Sequence, residues 1–135
     1  MAATGQMNHD ERGTGIACRW RLTLTIGNRD AVDLKDIFGR GQDYHSRDIS
    51  RLEQDRQALQ QAGFQVLYLA EYFYDEYYAS PAAFQRFLQG VPIFEDFDPA
   101  ADAALLETYV ARFSDAQGIW LPRHRVIEAA RKGVN

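Results

Sequence analysis

Residues 48–71, DISRLEQDRQALQQAGFQVLYLAE, decide the fold class. They read as a helix, a glycine and a strand. Ile49, Leu52, Leu59 and Ala62 recur on one stripe over about Asp48 to Ala62, and Arg and Gln fill the opposite face, as in an amphipathic helix. Ser46 or Asp48 is placed to cap the first amides. Gly63 stands where a helix end favours a left-handed residue. Phe64 to Glu71 then reads as a strand. A helix that ends on glycine and feeds a strand points to an α/β crossover onto an earlier strand.

That earlier strand is Arg19 to Ile26, RWRLTLTI. Trp20, Leu22, Leu24 and Ile26 alternate with polar residues, and period two with Thr and Ile means a strand. Gly27 and Asn28 close it. Asp30 to Phe38 reads as a short helix with apolar Val32, Leu34, Ile37 and Phe38, stopped by Gly39. Gly39 to Ser46 is a loop by composition.

Beyond Glu71 the chain is dense in aromatics from Tyr72 to Tyr78, YFYDEYY. Pro81 sits near the first turn of a helix over Ala82 to Gln89, whose apolar side is Ala83, Phe84, Phe87 and Leu88. Val91 to Pro99 is a loop. A further helix is predicted from about Pro99 to Ser114, with Leu105, Leu106, Tyr109, Val110 and Phe113 inward. The last strand is predicted over Arg123 to Arg131, centred on Val126 and Ile127. Residues 1–18 are polar and Gly-rich without periodicity, which predicts a disordered or loosely attached tail. The expected fold is one α/β unit over 19–135, with about three strands in a mixed sheet and about four helices.

The composition narrows the function classes. The 135 residues suit one domain. The net charge of -4 offers no basic face for nucleic acid or for an anionic membrane surface. The single cysteine, Cys18, excludes an internal disulfide and fits a reducing cytoplasm. No apolar run is long enough to span a bilayer, and the polar N-terminus lacks a hydrophobic signal region, so a cytoplasmic location is expected.

Four pieces in this order resemble the second half of a class I S-adenosylmethionine-dependent methyltransferase. In that family a fifth strand, a helical crossover and a sixth strand are followed by an antiparallel seventh strand tucked between them. Arg19 to Asn28 looks like the fifth strand and its exit. Gln61-Ala62-Gly63-Phe64-Gln65-Val66 looks like the entry to the sixth. Phe84 to Phe97, FQRFLQGVPIFEDF, resembles an insertion that lines the acceptor pocket in one bacterial subgroup, and Gly118 to Lys132 resembles that subgroup's closing strand.

The resemblance implies a methyl acceptor pocket. It also implies a Gly-rich cofactor turn and an acidic ribose ligand, neither of which is found here. Gly13-Thr14-Gly15 and Gly39-Arg40-Gly41 do not lie between a strand and a helix N-terminus. No cofactor-binding residue is therefore carried over, no cofactor is expected in the isolated chain, and S-adenosylmethionine enters by resemblance alone. Without the neighbouring fourth strand, the edge of strand 19–26 is expected to be open and to pair with a second copy or a partner.

The residues themselves offer few candidates for chemistry. His9, His45, His124 and Cys18 form no metal-ligand pattern. His124, at the start of the last strand, reads as structural, with a general-base role as the functional alternative. His45 lies with Asp43 and Tyr44 in a polar loop that reads as solvated. Tyr72, Tyr74 and Tyr77 beside Asp75 and Glu76, with Phe84, Phe87 and Phe94, are candidates for the wall of a substrate pocket; a core seam or interface is the plainer reading. Glu95, Asp96 and Asp98 read as a solvated acidic loop. A Gly-x-Ser-x-Gly elbow and a phosphate-binding loop are both missing.

Three functions follow as expectations. One is a methyltransferase half that acts only with a cofactor-binding partner. The others are a non-catalytic assembly module and a small ligand-binding protein with an aromatic pocket.

Overall fold

A computed structural model of the chain describes residues 3–10 and 17–134, with side chains described over 19–132. Five strands form one sheet, β1 (Ala3–Asp10), β2 (Ala17–Ile26), β3 (Gln65–Tyr78), β4 (Ser114–Asp115) and β5 (Gly118–Val134). Four helices accompany them, α1 (Val32–Phe38), α2 (Leu52–Gln61), α3 (Pro81–Gly90) and α4 (Ala103–Arg112). The strand order is β1-β2-β5-β3, and β4 pairs β5. The chain divides into two compact units, to each of which β3 and β5 contribute a segment.

The α/β class and the four helices agree with the sequence pattern. The mixed three-stranded sheet does not. The pairings of β1 with β2, β2 with β5 and β4 with β5 are antiparallel. The helix-glycine-strand unit does not place β3 beside β2, because β5 runs between them.

The expected open edge of strand 19–26 is closed on both sides. Ala3–Asp10 pairs with Ala17–Leu24 along one side of β2, and β5 pairs along the other. The loose tail is thus a strand over Ala3–Asp10; the remainder of the tail expectation falls on residues 1–2 and 11–16, outside the described residues. The β1–β2 pairing is antiparallel, in a register that runs from Ala3 opposite Leu24 to Asp10 opposite Ala17.

The first unit holds β1, β2, α2, the first part of β3 and the last part of β5. Register places Trp20, Leu22, Leu24 and Ile26 on the same face as Arg131, Ala129, Ile127 and Arg125. The Arg131 guanidinium lies over the Trp20 ring at 5.5 Å and donates to Gln65 Oε1 at 2.8 Å. On the other face Thr23 is buried and Arg21 pairs with Glu128 at 2.8 Å. Leu22 is 61% exposed and Leu24 45% exposed, while Trp20, Ile26, Ile127 and Ala129 on the same face are half-buried.

Helix α2 is shorter than its stripe predicts. It starts at Leu52 with Arg51 as N-cap and no side-chain cap, so neither Ser46 nor Asp48 plays that role. The cause is tertiary. The Asn28 side-chain amide donates to the carbonyls of Ser46 and Ile49, the latter at 2.7 Å, and holds 46–49 as a turn. Gly63 has φ 89 and ends the helix as expected.

The second unit is built on an apolar core that includes Leu34, Phe84, Leu88, Leu106, Tyr109 and Leu121. Ser80 caps α3 by accepting the Ala83 amide at 3.1 Å, with Pro81 in the first turn. Tyr109 stacks with Phe84 at 5.4 Å and Phe113 at 4.5 Å, and its hydroxyl donates to the Trp120 carbonyl at 2.8 Å. Helix α4 starts at Ala103 and not near Pro99, because the Asp102 carboxylate accepts the Asp98 amide at 3.0 Å and fixes a turn there. The aromatic run Tyr72–Tyr78 continues β3, which is therefore longer than predicted, and β5 extends well beyond 123–131 at both ends.

Gly118 opens β5 at φ +129, and a Cβ there would run into the Tyr78 carbonyl. Gly118→Ala is expected to lower stability by about 2 kcal/mol through strain and collision together. Urea denaturation of both proteins measures it, and an unchanged midpoint would show that the backbone can yield there.

Candidate functional site

Three consecutive residues after β2 are laced to three residues of β5 within the second unit. The Arg29 amide donates to His124 Nδ1 at 3.1 Å. The Asp30 carboxylate accepts from Arg123 Nε at 2.8 Å and from the His124 amide at 2.9 Å. The Ala31 amide donates to the Pro122 carbonyl at 3.0 Å. Arg123 also donates to Glu76 on β3 at 2.9 Å, and Glu76 accepts from the Tyr78 hydroxyl at 2.5 Å. Arg123 and Asp30 are both buried, so their charges are compensated by each other and not by water.

Beside this lattice lies a cleft of about 470 Å³. The loop after β2 supplies Arg29, α1 supplies Val32, and the turn held by Asn28 supplies Arg47 and Asp48. Phe73, Tyr74 and Asp75 come from β3, and Pro122 and Arg123 from β5. Phe73 is stacked on the buried His124 ring at 4.4 Å with 1° between the planes, yet it remains 57% exposed. One face is thus fixed and much of the ring meets solvent. The Arg29 guanidinium lies 4.8 Å from the Phe73 centroid.

Electrostatics in the cleft are uneven. Arg47 is ion-paired with Asp36, donates to the Tyr44 carbonyl at 2.7 Å and covers the Tyr44 ring at 4.1 Å. Nearby, burial and the charges of Asp36 and Asp75 push the Asp33 carboxyl above its usual range. Lys35 is buried in the same unit, and burial pulls its ammonium down against the opposing effect of Asp30 and Asp43.

The residues expected to wall one pocket are dispersed. Tyr74 lines the cleft. Tyr77 is exposed on β3. Phe84 is wholly buried and Phe87 packs against it with Tyr78, so both serve the core. Phe94 is stacked on Phe38 at 4.5 Å and lines a separate hollow of about 460 Å³ with Arg40, Gly41 and Asp96. Tyr72 belongs to the other unit, where its hydroxyl bonds that of Tyr68. His124 is buried with Nδ1 accepting a backbone amide, the arrangement of a structural histidine. His45 is exposed, edge-on to Tyr44 at 5.4 Å, and does not line the cleft.

Sequence reasoning missed Arg29, Arg47 and Arg123 as cleft residues. The signal available for the first was a polar triplet, Asn28-Arg29-Asp30, directly after an apolar strand. Arg47 carried none, since its position depends on a turn held from 18 or more residues away.

Among the described residues no group of three or more His, Cys, Asp or Glu side chains is placed to hold a metal ion. No described helix is long and apolar enough to cross a membrane. The described residues do not fit S-adenosylmethionine. Gly39 and Gly41 follow α1 and do not join a strand to a helix N-terminus. Asp30, the acid at the exit of β2, is 1% exposed and consumed by Arg123 and His124, which leaves it closed to a ribose. Gly13 to Gly15 fall outside the described residues. No protein-family model matches the chain, and no curated protein matches it in sequence.

A pH prediction follows from Asp102. Burial pushes its carboxyl up, but hydrogen bonds from the Arg40 guanidinium at 2.7 Å and the Asp98 amide outweigh this and hold it below 3.8. A lowered folded-state value stabilises above the unfolded value and is lost as pH falls through the folded one. Asp102→Asn is therefore expected to be less stable than the parent at pH 7, with the gap closing below about pH 3.8. Thermal melts from pH 7 to pH 2 measure this, and a gap independent of pH would overturn it.

Proposed function

We propose that this chain is the acceptor-side half of a methyltransferase-like fold, with the cleft between Arg29, Arg47 and Phe73 as its ligand site. The observation that carries the reading is the strand order. The closing strand β5 runs antiparallel to β2 and lies between β2 and β3, and α2 enters β3 through Ala62-Gly63-Phe64. That is the arrangement expected of the fifth, seventh and sixth strands of the class I family. Methyl transfer would require a Gly-rich cofactor site from a partner, because the described residues offer none, and the role of this half is to bind and orient an acceptor.

A second reading, an assembly module without chemistry, is favoured by the uncovered Leu22 and Leu24 on one face of β2. Apolar strand surface of this kind is a docking face for a second copy or a partner chain. Both edges of β2 are paired, so this association would use the sheet face.

Calorimetric titration of the chain with S-adenosylmethionine is expected to give no saturable heat. Saturable binding would place a cofactor site within these residues and overturn the division of labour proposed here. Sedimentation of the same sample separates the second reading, which requires a concentration-dependent dimer or larger species.

A further inference from the structure

We infer that the cleft is built for a small organic cation, an ammonium-bearing amine with a flat apolar body. The inference rests on the cleft being the ligand site, and it adds the chemical class of the ligand.

Two independent features lead there. The first is the disposition of charge. Three arginines line the cleft, but each has an engagement within the chain. Arg123 is shared by Asp30 and Glu76, and Arg47 is held by Asp36 and the Tyr44 carbonyl. Arg29 lies against the Phe73 ring and has a further interaction of its own. Two lining carboxylates, Asp48 and Asp75, make no close ion pair, although the charge of Asp48 acts on Arg47. Asp48 and Asp75 are exposed, and neither has an ion-pair partner among the described residues. Beside the cleft, burial first and then the charges of Asp36 and Asp75 push the Asp33 carboxyl up. An anion entering at Arg47 or Arg123 would have to displace Asp36 or Glu76 from its arginine. A cation paired with Asp48 or Asp75 breaks neither of those pairs.

The second feature is the aromatic wall. Phe73 is 57% exposed and Tyr74 is 43% exposed, although one face of Phe73 is fixed on a buried ring. With His124 stacked on it and the Arg29 guanidinium over it, the exposed part of this rigid ring is a platform for the flat body of a ligand, and the charge of the ligand falls to the neighbouring carboxylates. Asp75 follows Phe73 and Tyr74 directly on β3, so platform and counter-charge are set by one strand. The cleft volume of about 470 Å³ admits a ring with a short aminoalkyl arm.

The test uses three probes of one shape, 2-phenylethylamine, 2-phenylethanol and phenylacetate, titrated into the whole chain and followed by backbone amide shifts. The amine is expected to shift Phe73, Tyr74, Asp75 and Asp48 and to bind about fivefold tighter than the alcohol at low salt, the advantage falling as salt is raised. Asp75→Asn should weaken the amine about threefold and leave the alcohol unchanged; Asp48→Asn provides a second variant, and thermal melts confirm that each folds. Equal binding of amine and alcohol, or tightest binding of phenylacetate, would overturn the cation assignment and leave the cleft as the ligand site. Shifts at none of these residues with any probe would overturn both.

Discussion

Asp30 is the joint on which the second unit depends. It is an almost fully buried carboxylate, 1% exposed, and one of its oxygens accepts from both the Arg123 side chain and the His124 amide. Burying two charges is costly, and such a pair is recovered only by good geometry and further hydrogen bonds. Both are present, since Arg123 also reaches Glu76. The pair does not add much to stability over an apolar replacement of the same volume. What it adds is register. The Arg29, Asp30 and Ala31 contacts together match the loop after β2 residue by residue to residues 122–124, and His124 in that position carries the stacked Phe73 ring.

The cleft follows from this joint together with one side-chain amide. Asn28 bonds two carbonyls, those of Ser46 and Ile49, and so sets the turn that carries Arg47 and Asp48. One wall is fixed through Asp30 and another through Asn28, two residues apart in the chain. The loop between β2 and α1 therefore organises the site from within a span of four residues, 28–31. Ala31 pays for this with a left-handed backbone at φ 53, a conformation that costs a non-glycine residue about 1 kcal/mol or more.

Local pattern made part of this legible. The alternation in RWRLTLTI, the glycine at 63 and the Ser80-Pro81 start of α3 each act over a few residues, and each was readable from spacing. What escaped is nonlocal or unpatterned. The sequence of β1 has no apolar alternation, so no local period announces its pairing. The run YFYDEYY hid the second half of β3, because aromatics on both faces erase the period of two. The starts of α2 and α4 were read too early because Asn28 and Asp102 hold turns there from outside the helical pattern. The cleft was half visible. Tyr74 was among the aromatics singled out, whereas its arginines come from three separate elements and are joined only by folding.

The two neighbours of β2 differ greatly in when they become available. β1 lies only a few residues upstream, so their pairing closes a short loop at small entropic cost. β5 joins β2 from about a hundred residues downstream, as in the match of Ile26 with Arg125. A hairpin of the first kind forms in microseconds, whereas nonlocal pairing of the second kind is slow. An edge of β2 without its distant partner would be a bare template for wrong pairing, which makes the β2–β5 match the one that protects this strand. Pairing with β5 closes the backbone edge of β2, while Leu22 and Leu24 stay exposed on its face after the pairing is made.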